Sequence, residues 1–135
     1  MVFAIPASAQ TADSGRYPEL FQATSKAPQV SVGLEAASIR KRLVDVNTDL
    51  LLHPSAPFLR LNLFGDLELV AAFDHLAPAF GGGFVWVGTV VGHPDSSAMF
   101  SVMGDAVSGS LNWDDQLCQL GFAGNGVHWI NLVNS

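Results

Sequence analysis

Lysine and arginine are absent after Arg60: all six basic residues, Arg16, Lys26, Arg40, Lys41, Arg42 and Arg60, precede the second half of this 135-residue chain. The remainder carries Asp66, Glu68, Asp74, Asp95, Asp105, Asp114 and Asp115. A phosphate backbone laid on that part would meet carboxylates and no cation able to release its counterions, which excludes nucleic-acid binding there. Charge of either sign is scarce at 13% of residues, about half the usual share. The surface must then be covered by hydroxyl, amide and glycine groups, or by another protein. Cysteine occurs once, at Cys118, which leaves no internal disulfide and no zinc-ribbon spacing. It shares a strand face with Leu120 and Phe122 and reads as a small buried hydrophobe, with no nearby His or Lys in sequence to activate it. No apolar run reaches the ~18 residues that a membrane-spanning helix needs.

Chemistry-bearing motifs are missing as well. Zinc peptidase chemistry needs two imidazoles and a glutamate on one helix face, whereas His53, His75, His93 and His128 are scattered over turns and strand ends. His93 with Asp95 comes nearest to a metal pair and reads as a turn. Asp74-His75 has the residue types of half a catalytic triad, but neighbours in a strand point to opposite faces. No Gly-x-Ser-x-Gly elbow supplies a nucleophile. Asp114-Asp115 reads as an exposed turn rather than a glycosidase pair. Gly81-Gly82-Gly83 lacks the lysine and following helix of a phosphate loop. The residues offer no catalytic, cofactor or metal site, and a protein without enzymatic activity is expected.

What the chain does contain is a run of short strands from Gly81 to Val133. Turn residues recur about every ten positions, at Gly92-His93-Pro94-Asp95, Gly104-Asp105, Asn112 to Asp115 and Gly124-Asn125-Gly126. The stretches between them, Phe84 to Val91, Ser97 to Met103, Ala106 to Trp113, Leu117 to Phe122 and Val127 to Val133, are rich in β-branched and aromatic residues. In Ala106 to Trp113 one face carries Val107, Gly109, Leu111 and Trp113 and the other Ala106, Ser108, Ser110 and Asn112, so one side is wet. Phe84 to Val91 is apolar on both faces and reads as a central strand. Asn125-Gly126 suits a type I′ hairpin turn, with Gly124, Asn125 and Gly126 as its structural residues.

Upstream, Phe58 to Phe64 and Leu67 to Phe73 form a hairpin across Gly65-Asp66, the second strand able to run on through His75 to Pro78. Leu43 to Leu51 alternates like a strand. Val32, Ala36, Ile39 and Leu43 recur at helical spacing, with Arg40, Lys41 and Arg42 placed to suit a helix C-terminus, so Val30 to Leu43 is expected to be a short helix. Gly33 keeps an extended segment as the alternative. The fold class is mainly β: a single antiparallel meander or sandwich of short strands with at most one or two short helices. Residues 1–9, MVFAIPASA, end in the small-x-small pattern of a signal-peptide remnant, which makes the product secreted or periplasmic. Residues 10–29 are read as an arm or linker and 30–135 as a single β-rich domain.

Two surfaces are candidates for binding, each with a structural alternative. Trp86, Trp113 and Trp129 make an aromatic platform for sugar rings unless they are core residues. The acidic segment after Arg60 is a docking surface unless a second sheet or the Val32 to Leu43 segment covers it.

Leu59-Arg60-Leu61-Asn62-Leu63-Phe64, Phe84-Val85-Trp86-Val87-Gly88, Val107-Ser108-Gly109 and Ala123-Gly124-Asn125-Gly126-Val127-His128 occur here in that order. Together they resemble the N-terminal pro-regions of secreted bacterial zinc metallopeptidases of the reprolysin-like and peptidyl-Asp metalloendopeptidase group. The resemblance spans Val44 to Val133. It implies a region that assists folding of a metallopeptidase catalytic domain or keeps it latent. Independently of the resemblance, Trp86, Trp113, Trp129 and His128 are candidate contacts for a partner or ligand. No cysteine-switch motif is present, so Cys118 is not carried over as a latency ligand. The alternative function is a secreted binding module for carbohydrate or another ligand.

Overall fold

The computed structural model describes residues 17–27, 38–52, 54 and 57–134. The expected signal remnant and residues 30–37 of the expected helix lie outside the described residues. Among the described residues nine strands form one antiparallel sheet: β1 (Phe21–Ala23), β2 (Ser38–Val46), β3 (Phe58–Phe64), β4 (Leu67–Pro78), β5 (Phe84–Val90), β6 (Ser97–Met103), β7 (Ala106–Trp113), β8 (Gln116–Gly124) and β9 (Val127–Asn134). Their order is β1-β2-β9-β8-β7-β6-β5-β4-β3, so β3 to β9 are a meander and β2 returns to pair with β9. A single sheet curls on itself, and the sandwich alternative is not adopted. Period-two patterning drives the curl: Trp86, Phe100, Val107, Leu111 and Leu120 point inward and are buried, while Thr89, Met99, Ser108, Asn112 and Gln119 point outward. The turns behave as their chemistry requires, Asn125 and Gly126 both having positive φ, 57° and 74°.

Closure brings β1 against β3. Glu19 and Arg60 form a parallel bridge, with Leu20 N–H donating to the Arg60 carbonyl and Arg60 N–H to the Pro18 carbonyl, at 3.0 and 2.9 Å. Asn62 then takes the place of a backbone unit. Its Oδ1 accepts from Phe21 N–H at 3.3 Å and its Nδ2 donates to the Phe21 carbonyl at 2.6 Å. Leu20 and Phe21 are buried. The arm expected over residues 10–29 is thus corrected for its described part, which contributes core residues and the closing strand.

The helix expected over Val30 to Leu43 is also corrected: residues 38–46 are β2. From Arg40 on, Lys41 and Leu43 alternate with Arg40, Arg42 and Val44, and pairing with β9 outweighs a narrow helical stripe. Arg42 Nη1 donates to the carbonyls of Asn62 and Leu63 at 2.9 and 3.1 Å, spanning from β2 to β3. Arg40 pairs with Asp66 at 2.6 Å and lies 4.3 Å over the Phe64 ring. β2 ends at Val46, where a helical turn, α1 (Asp49–Leu52), replaces the rest of the expected strand and buries Leu51. The core is continuous from Leu59, Leu61 and Leu63 of β3 round to Ile130 and Leu132 of β9.

Candidate functional site

The three tryptophans do not converge into a platform, and Trp86 and Trp113 are core residues. Trp86 is fully buried at the barrel centre, with Phe73 and Phe100 on either side at ring-centroid distances of 5.4 and 5.8 Å. Trp113 is buried at the end of β7. Trp129 faces outward, half-buried, and lies over Gly121 of β8, where an added Cβ would meet its ring at 2.0 Å. Only Trp129 remains as an outward ring, supported by a glycine that leaves room for it.

His128 is buried, although a surface contact was expected of it. The β7–β8 ladder runs from Trp113↔Gln116 to Gly109↔Leu120 and pairs no residue beyond. His128 of β9 fills the opening: its Nε2 accepts from Val107 N–H at 3.0 Å, and its ring lies 5.0 Å from that of Phe122. Acceptance at Nε2 places the imidazole proton on Nδ1. Nδ1 has no hydrogen-bond partner; the Gly126 backbone lies close enough to favour the cation but outside hydrogen-bond geometry. Burial lowers the pKa, outweighing Gly126, Asp105 and Asp45, which raise it; Lys26 lowers it further.

This has a defined pH consequence. A buried neutral imidazole binds fewer protons than the unfolded chain below the ordinary value of ~6.5. The His128 contribution is therefore complete above that value and is lost as pH falls through it towards the lower folded value. The slope approaches about 1.4 kcal/mol per pH unit for one proton. Urea midpoints at several pH values between 7.5 and 5 should fall for the wild type and fall less for His128→Gln, whose amide oxygen can still accept. Identical pH profiles would show that His128 does not carry the effect.

Two histidine–carboxylate pairs lie on the surface. The β4–β5 register shifts between Phe73 and His75, so Asp74 occupies a bulge. Asp74 Oδ2 and His75 Nδ1 are 2.6 Å apart, correcting the expectation that strand neighbours could not meet. Both are exposed. His93 meets Asp114 at 2.9 Å, joining the β5–β6 and β7–β8 turns, instead of pairing with Asp95. Among the described residues no group of three His, Cys, Asp or Glu side chains is placed to hold a metal ion. Cys118 is buried, as its strand pattern predicts, and burial pushes its thiol up to about 12. Phe122, expected on the same buried face, is instead exposed beside the register shift near Gly124.

The largest uniform feature is the outer wall. None of the residues of β5 to β9 is Asp, Glu, Lys or Arg. The carboxylates of this part, Asp95, Asp105, Asp114 and Asp115, all sit in the connecting turns. Val85, Val87, Met99 and Ser101 share the outward register of β5 and β6, with Met99 and Met103 the most exposed large apolar side chains. The outside mixes these apolar residues with Ser108, Asn112 and Gln119, and the inside is packed with aromatic and aliphatic side chains, unlike the polar lumen of a lipid-facing barrel. No described helix is long and apolar enough to cross a membrane. Sequence reasoning found the acidic turns and the apolar strands, but missed the arginines and Asn62 that close the sheet. The period-two placement of Arg40 and Arg42 about Lys41 was the available signal. No family model matches the chain, and no curated protein or solved structure does.

Proposed function

We propose that the barrel is a secreted, non-catalytic domain that docks onto a zinc metallopeptidase catalytic domain, helping it fold or holding it latent. The observation that carries this reading is the charge-free wall over β5 to β8, with two exposed methionines. Such a face pays little desolvation on being covered, and methionine adapts its shape to a partner. Four strands of seven to nine residues make a face roughly 19 Å by 25 Å. That is about 500 Å², the size of the centre of an ordinary interface of ~800 Å² per partner. The resemblance of the Trp-Val-Gly strand and the Gly-Asn-Gly-Val-His turn to metallopeptidase pro-regions supplies the class of partner. The burial of Trp86 and Trp113 weighs against the carbohydrate module, which needed rings at the surface.

The test mixes the purified chain with a secreted zinc metallopeptidase of the same source and follows peptide hydrolysis. Inhibition, or recovery of active enzyme during refolding, is expected with the wild type. Met99→Glu, which puts a charge on the exposed wall without touching the core, should abolish it. Absence of binding at micromolar concentration to every such peptidase would end the proposal.

A further inference from the structure

We infer that His128 is the latch of an acid-sensitive seam between β7 and β8: protonation of its ring drives it away from Val107 and opens the sheet there without unfolding the barrel. The inference concerns the barrel itself and does not depend on the peptidase reading. β7 and β8 are laddered from Trp113↔Gln116 to Gly109↔Leu120. Beyond that pair the strands run on to Ala106 and Gly124 unpaired with each other, and β8 is bulged against β9 between Phe122 and Gly124. Val107 N–H therefore meets no β8 carbonyl and donates to His128 Nε2 at 3.0 Å. A titratable side chain closes this gap in the ladder.

Hydrogen-bond chemistry makes the closure conditional. The neutral ring carries its proton on Nδ1 and accepts at Nε2, whereas the cation donates at both nitrogens. The second proton would sit on Nε2 facing the Val107 N–H, so donor would meet donor. Flipping the ring changes nothing, because either nitrogen of the cation donates. His128 is 1% exposed, and its Nδ1 has no hydrogen-bond partner even in the neutral form. A cation held there would keep two unpaired donors in a low-dielectric site, an arrangement that buried charge does not tolerate.

The surroundings supply an exit. Among the described residues the charged groups that act on His128 are Asp105 of the β6–β7 turn, Asp45 of β2 and Lys26 of the segment after β1; β7, β8 and β9 bring none. Asp105 is exposed, two positions before Val107. Asp45 Oδ1 lies 3.6 Å from Lys26 Nζ and accepts no hydrogen bond. Both carboxylates attract an imidazolium, and Lys26 opposes it. The ring's aromatic neighbour Phe122 is 39% exposed, so the way out starts at the surface and not in the packed centre around Trp86. Opening frees the Val107 N–H and the unpaired ends of β7 and β8, two of the strands that carry the charge-free wall. Below the ordinary imidazole value of ~6.5 and above the lower folded value, the open form binds one proton more, so its population rises about tenfold per pH unit.

The experiment is amide hydrogen exchange on the intact, isotope-labelled chain, followed by nuclear magnetic resonance between about pH 7.5 and 5 and expressed as protection factors. Val107 protection is expected to fall about tenfold per unit below ~6.5. Low concentrations of urea should leave it unchanged, the signature of a local opening that exposes little surface. The Trp86 amide should stay far better protected at every pH and respond to urea. His128→Gln, whose amide oxygen accepts from Val107 but cannot be protonated, should abolish the pH dependence. Asp105→Asn, a change at an exposed turn, should move the opening to lower pH, and it keeps the test decisive should the glutamine variant fail to fold. The inference is overturned by constant Val107 protection over the range, by a pH-dependent loss that survives in His128→Gln, or by an opening pH unmoved in Asp105→Asn. It is also overturned if Val107 and Trp86 lose protection together with the same response to urea, which is global unfolding with no seam.

Discussion

Replacing Trp86 with alanine is expected to cost about 4 kcal/mol, within the range measured for deleting a buried aromatic ring. Domains of this size are held by only ~5–15 kcal/mol, so the variant should unfold at much lower urea or fold incompletely. The cause is position as much as size. Trp86 lies in β5, between β4 and β6, fully buried, and its ring bridges Phe73 and Phe100. A cavity there faces strands tied on both sides and cannot collapse without breaking ladders. The check is the urea midpoint, with near-ultraviolet circular dichroism to follow the aromatic packing. A midpoint close to that of the wild type would show that the barrel centre is not organised around this ring.

Gly88→Ala should be nearly as damaging, about 3 kcal/mol, at the upper end of ordinary overpacking. Alanine in place of glycine within a strand would otherwise gain roughly 0.5–1 kcal/mol from chain entropy. Here the clash dominates. A Cβ on Gly88 would stand 2.2 Å from the Ala72 carbonyl oxygen and 2.8 Å from the Trp86 ring, a neighbouring backbone and a side chain with no free space around it. Gly121 provides the control. Its Cβ would meet the Trp129 ring at 2.0 Å, but that ring is half-buried on the outside and can swing away. Gly121→Ala should therefore cost less than Gly88→Ala in the same denaturation series. The reverse order would mean that Trp129 is held more rigidly than the core ring.

From the sequence by itself came the β class, the strands from Phe58 to Val133, the turns between them and the inward face of most strands. Each rests on contacts between residues near in sequence or on period-two patterning, which a short window captures. The burial of Cys118 and of Trp113 belongs with these. Closure was settled only in three dimensions. β1 has three residues and no pattern, and its place depends on Asn62, 41 positions away. Arg40, Lys41 and Arg42 suit a helix end as well as a strand, and the choice is made by pairing with Leu132, Asn131 and Ile130 of β9, about ninety positions later. The Asp74 bulge and the wedge of His128 against Val107, 21 positions away, likewise depend on register between strands. Local chemistry set where the chain extends and turns; the meeting of distant edges, stabilised by buried area and hydrogen bonds across the whole sheet, decided which side chains seal the barrel and which stay at its surface.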